Sequence, residues 1–274
     1  SSREECSSMA VVALTALAVG FCVNDKRLLE HWQHSDLNGT GLDRWLNYAN
    51  HYEQHFPRPN ALHQIRMLEI GIQSGGSAIM WSSCYGETME YIGIDIDPAC
   101  KRFESPHRSN MHFEIGSSLN KTFLLDVCRK YGPFDIVVDD GGHTAEMINS
   151  AVNTIFASNA CMTPQSVYVV EDMHVMANCF THKSYCGTPG EISGAPCVAF
   201  ESMHDYWFKS PRPLTPFSGR VAAIHLYDSI AFYVRSVPQL HLQRLRRGRF
   251  AHNLESALNP SHTYDRRKRQ EKGQ

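Results

Sequence analysis

The run FDIVVDDGGH at residues 134–143 constrains this chain more than any other stretch. Its apolar part is too short for a helix and is bounded by turn residues. Such a run reads as a strand buried on both faces of a parallel sheet. In open α/β sheets, ligands bind in the crevice beyond the carboxyl ends of the strands. Asp139, Asp140 and His143 are therefore expected at that edge, with Gly141 and Gly142 letting the backbone turn. Residues 167–174 (VYVVEDMH) repeat the design. Two buried strands that both end in carboxylates and imidazoles predict one shared site.

The rest of the chain alternates in the same way. Strands are expected at 66–70, 91–94, 112–115 and 167–170. Helices are expected from the glycine loop through Trp81, over 121–130, and from about 144 to 157. Two apolar runs, 221–227 and 230–237, are separated by Asp228-Ser229, a hairpin signal. The sum is an α/β fold: a doubly wound, Rossmann-like, mostly parallel sheet closed by an antiparallel hairpin. At 274 residues, one such domain suffices. The expected divisions are an N-terminal helical extension (1–60), the main domain (61–240) and a basic, partly disordered tail (241–274). In the extension, Trp45, Tyr48, Tyr52 and Phe56 fall at near-helical spacing, the pattern of a core face. His51 and His55, four apart, are placed to face one ligand. Residues 178–199 have the composition of a lid or insertion.

A formal net charge of −2 gives no global attraction to nucleic acid, so no nucleic-acid partner is expected. The arginines at 244–249 and 266–269 read as a solvated tail. Residues 9–23 are almost wholly apolar but fall short of the ~20 needed to span a bilayer. Their upstream flank carries Glu4 and Glu5, unlike the basic flank of a secretory signal. A packed helix, a signal remnant and a weak anchor stay open, as does a role in homo-oligomer formation. The chain begins with Ser rather than Met, which leaves its natural start open. A soluble intracellular location is the expectation, with the secretory pathway as the alternative. Nine cysteines form no CxxC pair. Most fall in expected core elements, where thiols act as small hydrophobes. Cys186 and Cys197, flanking a Gly/Pro-rich loop, are the pair open to bridging in an oxidising compartment.

Two constellations carry chemistry. Glu69-x-Gly71-x3-Gly75-Gly76 follows a strand and opens a helix, where glycines let the backbone approach a nucleotide. Asp95 ends the next strand, where a carboxylate accepts from ribose hydroxyls. The pair points to an adenosyl-type cofactor, with Glu69, Gly71, Gly75, Asp95, Ser117 and Asp139 as candidate contacts. The second constellation is Asp139, Asp140, Glu171 and Asp172. Clustered carboxylates repel unless protonated or bridged by a cation, and oxygen ligation suits Mg²⁺. Asp140, Glu171 and Asp172 are the candidate ligands. His143 is the candidate base, since imidazole titrates near neutrality; His174 is the second candidate. Two other classes remain: an iron oxygenase using His143, His174 and Asp140, and a cofactor-binding domain without turnover.

With these residues in hand, the chain resembles class I S-adenosylmethionine-dependent methyltransferases. Within them it is similar to the metal-dependent sugar O-methyltransferases of macrolide biosynthesis, the mycinamicin and macrocin type. The matching segments are DRWLNYANHYEQHF (43–56), MLEIG (67–71), GIDI (93–96), YGPFDIVVDDGGH (131–143), VYVVEDM (167–173) and IHLYDSIAFYV (224–234). The resemblance implies that Glu69, Gly71 and Asp95 hold S-adenosylmethionine and that Asp140, Glu171 and Asp172 hold Mg²⁺. It also implies that His143 is the base for a sugar- or polyol-like small-molecule acceptor, with His51 and Tyr52 on the substrate side. The chain departs from the family at Gly116-Ser117-Ser118, in the shorter glycine loop, at His174, and across 178–215, where acceptor choice is expected to lie.

Overall fold

The computed structural model describes residues 20–104, 108–174 and 220–236. The tail at 241–274, the whole 178–215 segment, and Cys186 and Cys197 lie outside them. Seven strands form one sheet in the order β3-β2-β1-β4-β5-β7-β6. They are β1 (Ile65–Ile70), β2 (Met89–Asp95), β3 (Met111–Ile115), β4 (Phe134–Asp139), β5 (Met162–Val170), β6 (Val221–Tyr227) and β7 (Ile230–Arg235). The first five pair in parallel, and β7 runs antiparallel to both β5 and β6. The weak third strand therefore forms, and the hairpin closes the sheet as expected.

Strand β4 lies between β1 and β5, and Phe134, Ile136, Val137 and Val138 are fully buried. Each such side chain contributes roughly 1.5–3 kcal/mol of transfer free energy. Alternate residues feed two cores. One face packs Met67, Ile136, Val138 and Phe232 against α1 (Leu28–His34), α2 (Tyr48–His55) and α3 (Gly76–Tyr85). The other packs Leu68, Val137, Tyr168 and Tyr233 against α4 (Lys121–Tyr131) and α5 (Ala145–Ile155). Local chemistry starts the last two helices: Asn120 accepts from Phe123 N–H, and Thr144 accepts from Met147 N–H.

Residues 20–60 cover one face of the sheet, with Leu28, Tyr48, Ala49 and Tyr52 in its core. The aromatic stripe holds for Tyr48, Tyr52 and Phe56 but not for Trp45. Helix α2 starts only at Tyr48, and Trp45, in the extended approach to it, is 57% exposed. The approach segment docks on the glycine loop: Gly41 N–H donates to Ser74 O, and Gly76 N–H donates to Gly41 O at 3.0 Å. Position 76 has no room for a side chain, because a Cβ there would lie 2.0 Å from that same oxygen.

The cysteines correct the sequence reading. Cys22 bonds to Cys84 and Cys128 to Cys161, so four of the expected free thiols form cross-links; Cys100 is buried and free. Separations of 62 and 33 residues give no local signal. The pairs meet because the turn after Gly20 packs against the end of α3, and the end of α4 against the start of β5. No helix among the described residues is long and apolar enough to cross a membrane.

Candidate active site

The carboxyl ends of β2, β1, β4 and β5 open into a cavity of ≈ 560 Å³. Its wall comprises residues 41–45, the glycine loop, Asp95 to Asp97, the loop 116–118, the turn 140–143, and Glu171, Asp172 and His174.

At the β1–β2 end the backbone does the shaping. Asp95 Oδ2 accepts from Ile72 and Gln73 N–H (2.9 and 3.0 Å), and Oδ1 accepts from Asp97 N–H (2.9 Å). Burial alone would raise the Asp95 pKa, but these amides prevail and hold it below the usual carboxylate range. Gly71 has φ +95, and a Cβ there would lie 2.2 Å from Asp140 O. Only glycine lets the β1 and β4 turns touch. Gly71, Asp95 and Ser117 line the cavity, as expected of cofactor contacts. Three other candidates do not. Glu69 is fully buried and accepts from Arg44, Tyr91 OH and Ser77 Oγ. Gly75 lies behind the loop against Phe103. Asp139 sits beneath the floor, accepting from Tyr168 OH at 2.9 Å; burial pushes its carboxyl up to about 7 against the pull of that bond.

At the β4–β5 end side chains take over. Asp140 Oδ1 lies 3.9 Å from His143 Nε2, and Asp172 Oδ2 lies 4.0 Å from the same nitrogen. Among the described residues of this cavity, these three bring two carboxylate oxygens and one imidazole nitrogen within 4.8 Å of one another, the oxygens as candidate cation donors and the nitrogen beside them. His143 and Asp172 have φ values of +55 and +52. Such backbone strain in non-glycine residues clusters at functional sites. Burial holds the His143 imidazole below its usual pKa, against the pull of Asp172, which favours the neutral form that can accept a proton. His174 bonds Ser229 Oγ and lies 4.0 Å from Asp172 Oδ1. The converging set is thus one imidazole and two carboxylates, not the two-imidazole, one-carboxylate set of a non-haem iron oxygenase.

Glu171 is present but committed: its Oε1 accepts from Tyr52 OH and from Arg44. Arg44, with its side chain 2% exposed, pairs with Glu69 and Glu171 and lies 3.3 Å from Asp140 Oδ2. One guanidinium faces these three carboxyl groups, with Asp172 a fourth nearby, so acids outnumber the cation. Burial raises the Asp140 pKa well above normal, and Glu171 adds repulsion that Arg44 only partly offsets. Hard oxygen donors carrying surplus charge fit a divalent cation.

His51 and His55 do not share a ligand in the cavity. His51 stacks on Tyr227, and His55 bonds the Tyr227 hydroxyl at 2.8 Å. Tyr52 reaches the site only through Glu171.

No family model matches the chain. It is similar to 8-demethyl-8-alpha-L-rhamnosyl tetracenomycin-C 2'-O-methyltransferase of Streptomyces olivaceus, 28% identical over 220 residues, which are 75% of this chain and 56% of that enzyme. Mycinamicin VI 2''-O-methyltransferase of Micromonospora griseorubida is 30% identical over 208 residues, 70% of this chain and 48% of that enzyme. The solved structure of MycE, a methyltransferase of mycinamycin biosynthesis in complex with Mg and SAH, matches with a TM-score of 0.58 at 24% identity. That match covers 79% of this chain and 56% of that one. The chain has the class I methyltransferase fold. It spans about half the length of the curated relatives it matches.

Within this methyltransferase fold, sequence reasoning missed Arg44 and misplaced Trp45. Trp45 Nε1 donates to Asp172 Oδ1 at 3.1 Å, and Tyr48 OH donates to the same oxygen at 2.9 Å. Their one signal was the triplet Asp43-Arg44-Trp45 where the aromatic stripe begins. A lone Arg at that point reads as solvated until the strands bring three acids to it.

Proposed function

We propose that the protein is an S-adenosylmethionine-dependent O-methyltransferase acting, with Mg²⁺ assistance, on a hydroxyl of a sugar- or polyol-like small molecule. The observation that carries the reading is the meeting of Asp140, Asp172 and His143 in one cavity with the glycine loop and Asp95. The relatives named above support the reaction class and a glycosidic acceptor.

Gly71 and the glycine loop would admit the cofactor against backbone, and Asp95 would accept from its ribose. S-adenosylmethionine supplies an electrophilic methyl on a sulfonium. Asp140 and Asp172 would hold Mg²⁺, which supplies Lewis acidity to acceptor oxygens. His143 Nε2 would take the proton of the acceptor hydroxyl, and the neutral form that its burial favours suits it to that role. The rigid sheet edge contributes by holding the groups in register. The two disulfides support the secretory alternative for location over the intracellular one.

Calorimetric titration of S-adenosylmethionine, with and without Mg²⁺, is the test, followed by transfer of labelled methyl to simple methyl rhamnosides. Expected are cofactor binding by the wild type, weaker binding by Asp95→Ala, and loss of only the Mg²⁺ response in Asp140→Ala. Absence of cofactor binding in every condition would sink the proposal.

A further inference from the structure

Asp140 and Asp172 each present one oxygen to the 44–48 segment and one to His143. Asp140 Oδ2 lies 3.3 Å from Arg44 Nη2, and its Oδ1 lies 3.9 Å from His143 Nε2. Asp172 Oδ1 accepts from Trp45 Nε1 at 3.1 Å and Tyr48 OH at 2.9 Å. Its Oδ2 lies 4.0 Å from His143 Nε2. All three donors come from residues 44–48, which are not part of the sheet; Trp45 and Tyr48 lie 127 and 124 positions upstream of Asp172.

A carboxylate torsion is broad and two-fold, so a bare Asp at a strand end has no preferred presentation. Donors fixed to one oxygen remove that freedom. Trp45 is informative here because its ring, 57% exposed, meets His174 edge-on while its indole N–H is engaged by Asp172.

We propose that Arg44, Trp45 and Tyr48 are positioning residues: they fix which oxygen of each carboxylate faces His143. The cation-binding face then exists only when the 41–48 strap is docked on the glycine loop. The inference rests on the metal-assisted reading above. Groups that orient metal ligands typically change metal affinity by 10–100-fold when removed.

The test uses Trp45→Phe, Tyr48→Phe and the double variant, which delete donors while keeping rings. Mn²⁺ is the probe, its free concentration read by electron paramagnetic resonance. S-adenosylmethionine affinity and thermal midpoint are measured alongside. The double variant is expected to bind Mn²⁺ on the order of tenfold more weakly, a larger loss than any in cofactor affinity, while the midpoint, which the Tyr48 hydroxyl also supports through its bond to Ser229 O, reports whether the variant folds. Trp45→Phe with Tyr48→Phe should add little further loss of Mn²⁺ affinity in an Asp172→Asn background, since the strap then has nothing left to orient. Unchanged Mn²⁺ affinity in a folded double variant overturns the proposal. Should the double variant fail to fold, Trp45→Phe decides, its exposed ring making it the mild change; a clear loss supports the proposal and no change overturns it. A wild type that binds cofactor but no Mn²⁺ overturns the strap role and leaves methyl transfer standing. Strap-dependent Mn²⁺ binding without cofactor binding supports the strap role and overturns methyl transfer.

Discussion

At the ends of β1 and β2 the cavity wall is backbone: a glycine at φ +95, a docked loop, and a carboxylate held by three amides within its own βαβ unit. At the ends of β4 and β5 it is side chain. There, carboxylates are held by an arginine, an indole and a phenol from the far end of the sequence. The first region is preorganised by local geometry and tolerates little change in shape. The second is preorganised by long-range donors around excess negative charge, so its arrangement depends on a segment outside the sheet.

The largest expected effect breaks the second region alone. His143→Gln removes the base while leaving cofactor contacts intact, and turnover should fall by about 10²–10⁴-fold. Labelled methyl transfer reads the loss and calorimetry the unchanged cofactor affinity. If cofactor affinity fell as far as turnover, the two regions would not be separable. The complementary change is Asp95→Ala, which leaves the Ile72, Gln73 and Asp97 amides without their acceptor. Charge-assisted bonds of this kind contribute about 1.5–3 kcal/mol, so cofactor affinity should fall on the order of tenfold to a hundredfold. Mn²⁺ affinity should stay constant; a matching drop there would contradict the division.

This division also explains what the sequence made legible. The glycine loop and Asp95 are local motifs, and short apolar runs bounded by turn residues placed the strands, including β4 with its DDGGH turn. Asp140, Asp172 and His143 were found because each ends a strand or follows one closely. Arg44 could not be found in that way: its meaning comes from Glu69, Asp140 and Glu171, residues of three different strand ends. Trp45 was misread because its spacing matched a helix that begins three residues later. Asp139 was misread because adjacent residues at a strand end point to opposite faces, so one reaches the cavity and the other Tyr168. The disulfides were invisible for the same reason as Arg44, since pairing across 62 and 33 residues is decided by the fold.

The cross-links sharpen the comparison further. Cys22–Cys84 joins the N-terminal segment to the helix that opens at the glycine loop, so it ties the strap's neighbourhood to the cofactor region. Closing a loop of this size contributes about 2–4 kcal/mol, or roughly 4–16 °C in thermal midpoint for a domain of this length. Cys22→Ser with Cys84→Ser should show a drop of that order in scanning calorimetry. Peptide mapping without reductant should recover both cross-linked peptides from the native protein. Recovery of free thiols at all four positions would remove both the stabilisation and the argument for an oxidising compartment.

The smallest expected effect concerns α2, which carries Tyr48 and Tyr52 to the site and, at its far end, His55. Burial drives the His55 pKa down to about 4, with His225 and His51 adding repulsion, while the Tyr227 hydroxyl and Gln54 complete the surroundings. A histidine whose folded pKa is lowered binds fewer protons folded than unfolded between the two values. Stability therefore rises with pH between about 4 and the ordinary ~6.5, and is lost on acidification through that window. The wild-type thermal midpoint should fall between pH 7 and pH 5. His55→Gln, which keeps a hydrogen-bonding partner for Tyr227, should fall less over the same interval. The difference is expected to be small because His55 is only partly buried and solvent screens its charge. Parallel pH dependence of wild type and variant would show that α2 is anchored by Tyr48 and Tyr52 alone.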